Sequence, residues 1–130
     1  MQKITDRELH SAVLKRFMDK YVKPGTRFRD EQGNRNLLWC SLKDIFYGNC
    51  VYISTDDTTK IGLQEDLSMY VYFDRTEELY KTTFAEFCKY LHDREDWEYV
   101  DAEVFDDSSN WLFAVTHNES IMLIGFDEDE

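Results

Sequence analysis

A chain of 130 residues with 27 acidic and 15 basic side chains carries a formal charge of −12, which attracts cations and basic proteins and opposes contact with nucleic-acid phosphate or an anionic membrane. Apolar residues make up 42% of the chain and aromatics 15%. That is too rich for a disordered segment and enough for one hydrophobic core, so a single domain over residues 1–130 is expected.

The charge is uneven. Residues 1–36 hold nine Lys or Arg against five Asp or Glu, a net of +4, which leaves −16 for residues 37–130. The first ten residues lack the apolar centre of a secretory signal, and no apolar run reaches the length of a membrane span. A cytoplasmic protein without a membrane partner is the expectation. Cys40, Cys50 and Cys88 are odd in number and lack C-x-x-C spacing, so they read as buried thiols.

In chain order, Ile4-Thr5-Asp6-Arg7-Glu8-Leu9 has the form of a helix start, with Thr5 and Glu8 as a capping box and Ile4 and Leu9 as a hydrophobic staple. Leu9, Val13, Phe17 and Tyr21 then recur at helical spacing until Pro24-Gly25, which predicts a helix over about residues 6–22. Polar residues 26–36 read as a loop. Leu38, Leu42 and Ile45 mark one face of a short second helix, stopped by Gly48-Asn49. Residues 50–54, CVYIS, are β-prone, and residues 55–66 form a loop or weak hairpin. Leu67, Met69, Val71 and Phe73 alternate with Ser68, Tyr70 and Tyr72, which predicts a strand.

Thr76-Glu77-Glu78 reads as the acidic first turn of a third helix, with Tyr80, Phe84, Phe87, Cys88 and Leu91 on its buried face and an end near His92. Three β-prone runs follow, separated by the short polar stretches 106–110 and 117–120, and these predict an antiparallel meander. Residues 126–130 read as a solvated acidic tail. The predicted fold is α+β: a mostly antiparallel sheet of about five strands with three helices on one face, ending in a three-stranded meander. A mixed sheet, with the strand after residue 67 returning in parallel, is the alternative.

Strand alternation puts Val100, Ala102 and Val104 on one face and Tyr99, Asp101, Glu103 and Phe105 on the other. The second set combines rings with carboxylates, a pairing suited to recognising cationic groups. Asp93, Glu95 and Asp96 precede it and Asp106 and Asp107 follow, while Trp111 is a candidate aromatic anchor. The competing reading is an ordinary solvent-facing sheet surface. In the strand starting at Trp111, both parities carry large apolar groups, so if both faces are covered the acidic surface shrinks to its ends.

Catalytic readings have little to stand on. Two carboxylates in proximity carry almost no information among 27 acids. Ser108-Ser109 with His117 and Asp101 lacks a nucleophile elbow, and the five glycines form no phosphate loop. His92 with Asp93, Glu95 and Asp96 follows neither the calcium-loop nor the H-E-x-x-H pattern. No enzyme activity, cofactor or metal is expected.

The blocks W-x-x-V-D-x-x-V-F, from Trp97 to Phe105, and W-L-F-A-V-T-H, from Trp111 to His117, resemble small bacterial proteins of unknown function. The short acidic α+β chain as a whole resembles immunity proteins of contact-dependent and other polymorphic toxin systems. That resemblance implies binding to a basic toxin domain, such as a nuclease, with occlusion of its active site. Two other classes compete: a nucleic-acid-mimicking inhibitor or regulator, and a small hydrolase or metal-dependent enzyme.

Overall fold

The computed structural model describes residues 1–22, 51–95, 100–108, 110–116 and 119–126. The expected second helix, with Trp39, Cys40 and Cys50, lies outside the described residues, as do Trp97, Tyr99, His117 and residues 127–130. Among the described residues, seven strands form one sheet: β1 (Gln2–Lys3), β2 (Val51–Ser54), β3 (Ser68–Phe73), β4 (Glu78–Thr83), β5 (Ala102–Phe105), β6 (Leu112–Val115) and β7 (Ser120–Ile124). Their order is β1-β4-β3-β5-β6-β7-β2, and every neighbouring pair is antiparallel. The α+β class and the antiparallel sheet follow the sequence, and no parallel pair occurs among the described residues; β5-β6-β7 are consecutive antiparallel neighbours but lie inside the sheet, between β3 and β2. The five expected strands become seven among the described residues because β1 is only two residues long and β4 begins at Glu78, part of the expected acidic helix start.

Helix α1 (Arg7–Tyr21) begins one residue later than the capping-box reading implies. Asp6 is its N-cap, accepting from the amides of Glu8 and Leu9 at 2.9 and 3.2 Å, which supplies acceptors to the orphan donors of the first turn. The expected Ile4–Leu9 staple is absent. Ile4 donates its amide to the Leu79 carbonyl at 2.9 Å and packs on the sheet, while Leu9 remains exposed. Val13, Phe17 and Tyr21 form the buried stripe.

Residues 76–78 do not open a helix. They close a hairpin in which Phe73 pairs with Glu78, the Glu77 amide donates to the Phe73 carbonyl at 2.8 Å, and Glu77 takes the left-handed conformation at φ 58°. Tyr80 is a strand residue that happens to lie four positions before Phe84, so it imitated a helical repeat. The true helix, α2 (Phe84–Asp93), is capped by Thr83, whose hydroxyl oxygen accepts from the Glu86 amide at 3.3 Å. Thr83-Phe84-Ala85-Glu86 is itself a T-x-x-E helix start, a signal that the sequence carries and that the acidic pair upstream obscured. Residues 55–61 form a short 3-10 helix, η1 (Thr55–Ile61).

Contrary to the expectation of helices on one face, α1 and α2 cover opposite faces of the sheet. Helix α1 buries Val13, Phe17 and Tyr21 against Tyr70, Tyr72, Phe105, Leu112, Ala114 and Met122. Helix α2 buries Phe84, Phe87 and Leu91 against Met69, Val71, Ala102, Val104, Phe113, Val115 and Ile121 on the opposite face. A sheet covered on both sides needs strands that are apolar at both parities, and β6, Leu112-Phe113-Ala114-Val115, is buried throughout. Cys88 on α2 is only half-buried, and that burial pushes its thiol pKa up, which lowers its thiolate fraction.

The Tyr21 hydroxyl donates to the Trp111 carbonyl at 2.7 Å, tying the end of α1 to the start of β6. Burial and the neighbouring Asp106 carboxylate push its pKa from 10.0 up to about 12, against the smaller opposing effect of that hydrogen bond. The folded chain therefore keeps a proton between pH 10 and 12 that the unfolded chain releases, so this contribution is complete below pH 10 and is lost as pH rises towards 12. The wild type should lose on the order of 2 kcal/mol over that interval. Tyr21→Phe should start less stable at neutral pH and show a shallower alkaline decline, as measured by urea unfolding at stepped pH; parallel curves would refute the assignment.

Candidate functional site

The structure separates the acidic residues that the sequence places side by side. Glu103 is fully buried and shares the α1 face of the sheet with Tyr72 and Ala114, its partners in register on β3 and β6. The Asp101 side chain is 2% exposed and accepts from Arg75 Nε at 2.8 Å. Neither side chain is open to a macromolecule: α1 roofs the face on which Glu103 lies, and Asp101 is closed off by its pair with Arg75. The expected aromatic and acidic surface on β5 is thus an interior surface. Trp111 is also interior, stacked on Phe113 with ring centroids 5.9 Å apart and against Phe126 at 5.8 Å, so it is no contact anchor.

The remaining described candidates, exposed except for the half-buried Asp106, are divided between opposite ends of the sheet. Asp93, the last residue of α2, is bridged to Lys89, and Glu95 lies two residues beyond it. At the other end, Asp106 accepts from the Ser108 amide and hydroxyl at 2.9 and 2.5 Å. Asp107 there pairs with Arg16 of α1 at 2.9 Å. Asp101 and Asp106 are separated by the length of β5, roughly 17 Å at the usual rise per residue. Asp96 and Tyr99 lie outside the described residues.

Glu65 and Asp66, at the end of the segment expected to be a loop or weak hairpin, emerge at the Asp106 end. Tyr70 of β3 pairs with Phe105 of β5, so the residues before β3 and those after β5 leave the sheet together. Both carboxylates are exposed and make no salt bridge among the described residues. Their backbone is anchored: the Ala85 amide donates to the Glu65 carbonyl at 2.9 Å, and the Phe84 amide donates to the Leu67 carbonyl at 3.1 Å. Glu65, Asp66, Asp106 and Asp107 thus lie at one end of the sheet, its acidic rim, with the first pair beside the start of α2 and Asp107 paired to Arg16 of α1.

A second feature has no counterpart in the sequence reading. A cleft of about 420 Å³ opens at the β3–β4 hairpin on the α2 face, lined by Phe73, Arg75, Glu78, Tyr80, Tyr90 and Asp101 among others. Phe73 stands edge-on to Tyr80 and Tyr90, with centroids 5.4 and 5.7 Å apart. The Tyr80 hydroxyl donates to Glu78 at 3.3 Å, and Glu78 is bridged to Lys3 at 2.9 Å. The Lys3 ammonium holds the Glu78 carboxyl below the usual range, and burial pushes the Tyr80 phenol above its own. These residues come from the end of β3, the hairpin turn, the start of β4, α2 and the segment before β5, so no spacing rule in the sequence could have joined them.

Comparison with known proteins adds no relative: no family model, curated protein or solved structure matches the chain. No cluster of histidine, cysteine and carboxylate side chains able to hold a metal ion is found among the described residues. No helix among them is long and apolar enough to cross a membrane.

Proposed function

We propose that this protein is a stoichiometric inhibitor of the immunity type, which binds a basic toxin domain and occludes it without breaking a bond. The observation that carries this reading is the formal charge of −12, together with the acidic rim of Glu65, Asp66, Asp106 and Asp107. Glu65 and Asp66 project from an anchored backbone, which keeps low the entropy lost on binding. Asp107 is more than half exposed in its pair with Arg16. A surface pair of this kind is worth little in isolation and exchanges readily for a partner's cation. A rim of one sign steers a basic surface into encounter and speeds association.

The test is co-expression with the polypeptide encoded beside this one in its genome, scored by growth rescue, followed by stopped-flow association at two salt concentrations. Rescue is expected, with association slowing about tenfold between 0.05 and 0.5 M salt. Glu65→Lys with Asp66→Lys should slow association at low salt by a similar factor while leaving the thermal melt unchanged. Rescue with salt-independent rates, or double-variant rates equal to wild type, would place the contact elsewhere and defeat the electrostatic reading.

A further inference from the structure

From the cleft beside the β3–β4 hairpin we infer a binding site for a small aromatic carboxylate, independent of the acidic rim. Arg75 carries this inference. Its Nε is engaged by Asp101 at 2.8 Å, and Asp101 is held almost wholly out of water. The guanidinium is therefore fixed in orientation, while its two Nη groups have no acceptor among the described residues and half of the side chain faces outward. A planar fork with its rear edge clamped and its front edge open suits two parallel hydrogen bonds to a carboxylate.

The other polar groups of the cleft leave no comparable opening for a cation. Glu78 accepts from Lys3 and Tyr80, so its charge is already met, and Arg75 would repel a positive ligand. Phe73, Tyr80 and Tyr90 supply apolar walls for a ring next to the fork. The volume, about 420 Å³, falls within the range of small-molecule sites, which pair mostly apolar walls with a few placed polar groups. The protein's negative field opposes any anion, so the fork must act at short range, and binding in the millimolar range is expected.

The probes are benzoate, benzamide and acetate, titrated into uniformly labelled protein and followed by amide chemical shifts. Benzoate should saturate, moving the amides of Arg75, Thr76 and Val100, and should bind about tenfold more tightly than benzamide, which lacks the charge, or acetate, which lacks the ring. Arg75→Lys should weaken benzoate by about tenfold, because an ammonium cannot present the fork. Asp101→Asn should weaken it too, acting through the guanidinium as a positioning residue, with benzamide affinity unchanged. Arg75 sits half exposed on a turn, so a dispersed amide spectrum of Arg75→Lys would show that the fold is retained. If it did not fold, Tyr80→Leu would serve as the second variant, with the same tenfold loss expected. No saturation by benzoate, equal affinity for benzamide, or wild-type affinity in the folded variants would each overturn the site. None of these outcomes bears on the rim, whose test uses a protein partner and salt.

Discussion

Phe113→Ala is expected to reduce stability by about 3–5 kcal/mol, read from urea unfolding monitored by far-ultraviolet circular dichroism. Phe113 is fully buried on β6, where its ring meets Phe87 of α2 at 5.9 Å, Phe84 at 6.4 Å, Trp111 at 5.9 Å and Phe126 at 6.5 Å. Alanine would remove transfer free energy and leave a void whose walls belong to a helix, a strand and the segment after β7. Those walls are tied by separate hydrogen-bonded elements, so they cannot collapse together into the gap. Leu9→Ala is the matched control. Helical periodicity gave Leu9 the same status as Phe17, yet Leu9 is 43% exposed, and its truncation should change stability by less than about 0.5 kcal/mol. Comparable losses in the two variants would contradict the packing described above.

Gly125→Ala should be nearly as damaging, at about 3 kcal/mol, although it adds only one methyl group. Gly125 follows β7 with φ at +84°, and a Cβ there would lie 2.3 Å from the Asn110 carbonyl oxygen and 3.0 Å from Trp111 Cα. Both obstacles are backbone at the start of β6, which pairs with β7 from Leu112–Ile124 onward. Relief would require the ends of two paired strands to separate. Gly62→Ala isolates the other component of the cost: φ is +77°, but nothing lies within 4 Å of the added carbon. It should cost only about 1 kcal/mol, the left-handed backbone penalty. Thermal or urea unfolding of both variants decides the matter, and equal losses would mean that the crowding at Gly125 has no weight.

Legibility in the sequence followed the range of the interaction. The meander was readable because its three runs are β-prone and its connections short and polar, and the α1 stripe was readable because Val13, Phe17 and Tyr21 repeat along one segment. The β4 error shows the limit of periodicity. Glu77-Glu78 looks like a helix start in isolation, and only the pairing of Phe73 with Glu78 makes it a hairpin. The candidate site fared worse. Alternation along β5 correctly assigned Ala102 and Val104 to one face and Glu103 and Phe105 to the other, but alternation carries no information about which face is wet.

The amino-acid sequence by itself determined the α+β class, the strong negative charge, the apolar content of one core, and the antiparallel order of the last three strands. Each of these depends on composition or on neighbours a few residues apart. Only the tertiary structure decided that α1 and α2 cover opposite faces of the sheet, so that Asp101, Glu103 and Trp111 are interior. It also brought Glu65 and Asp66 to the same end of the sheet as Asp106, and Arg75 to Asp101 beside three aromatic rings. The physical reason is that burial and charge pairing depend on what lies opposite a side chain in space. Here those partners are 26 residues away for Arg75 and Asp101 and 91 for Arg16 and Asp107, far beyond any local pattern.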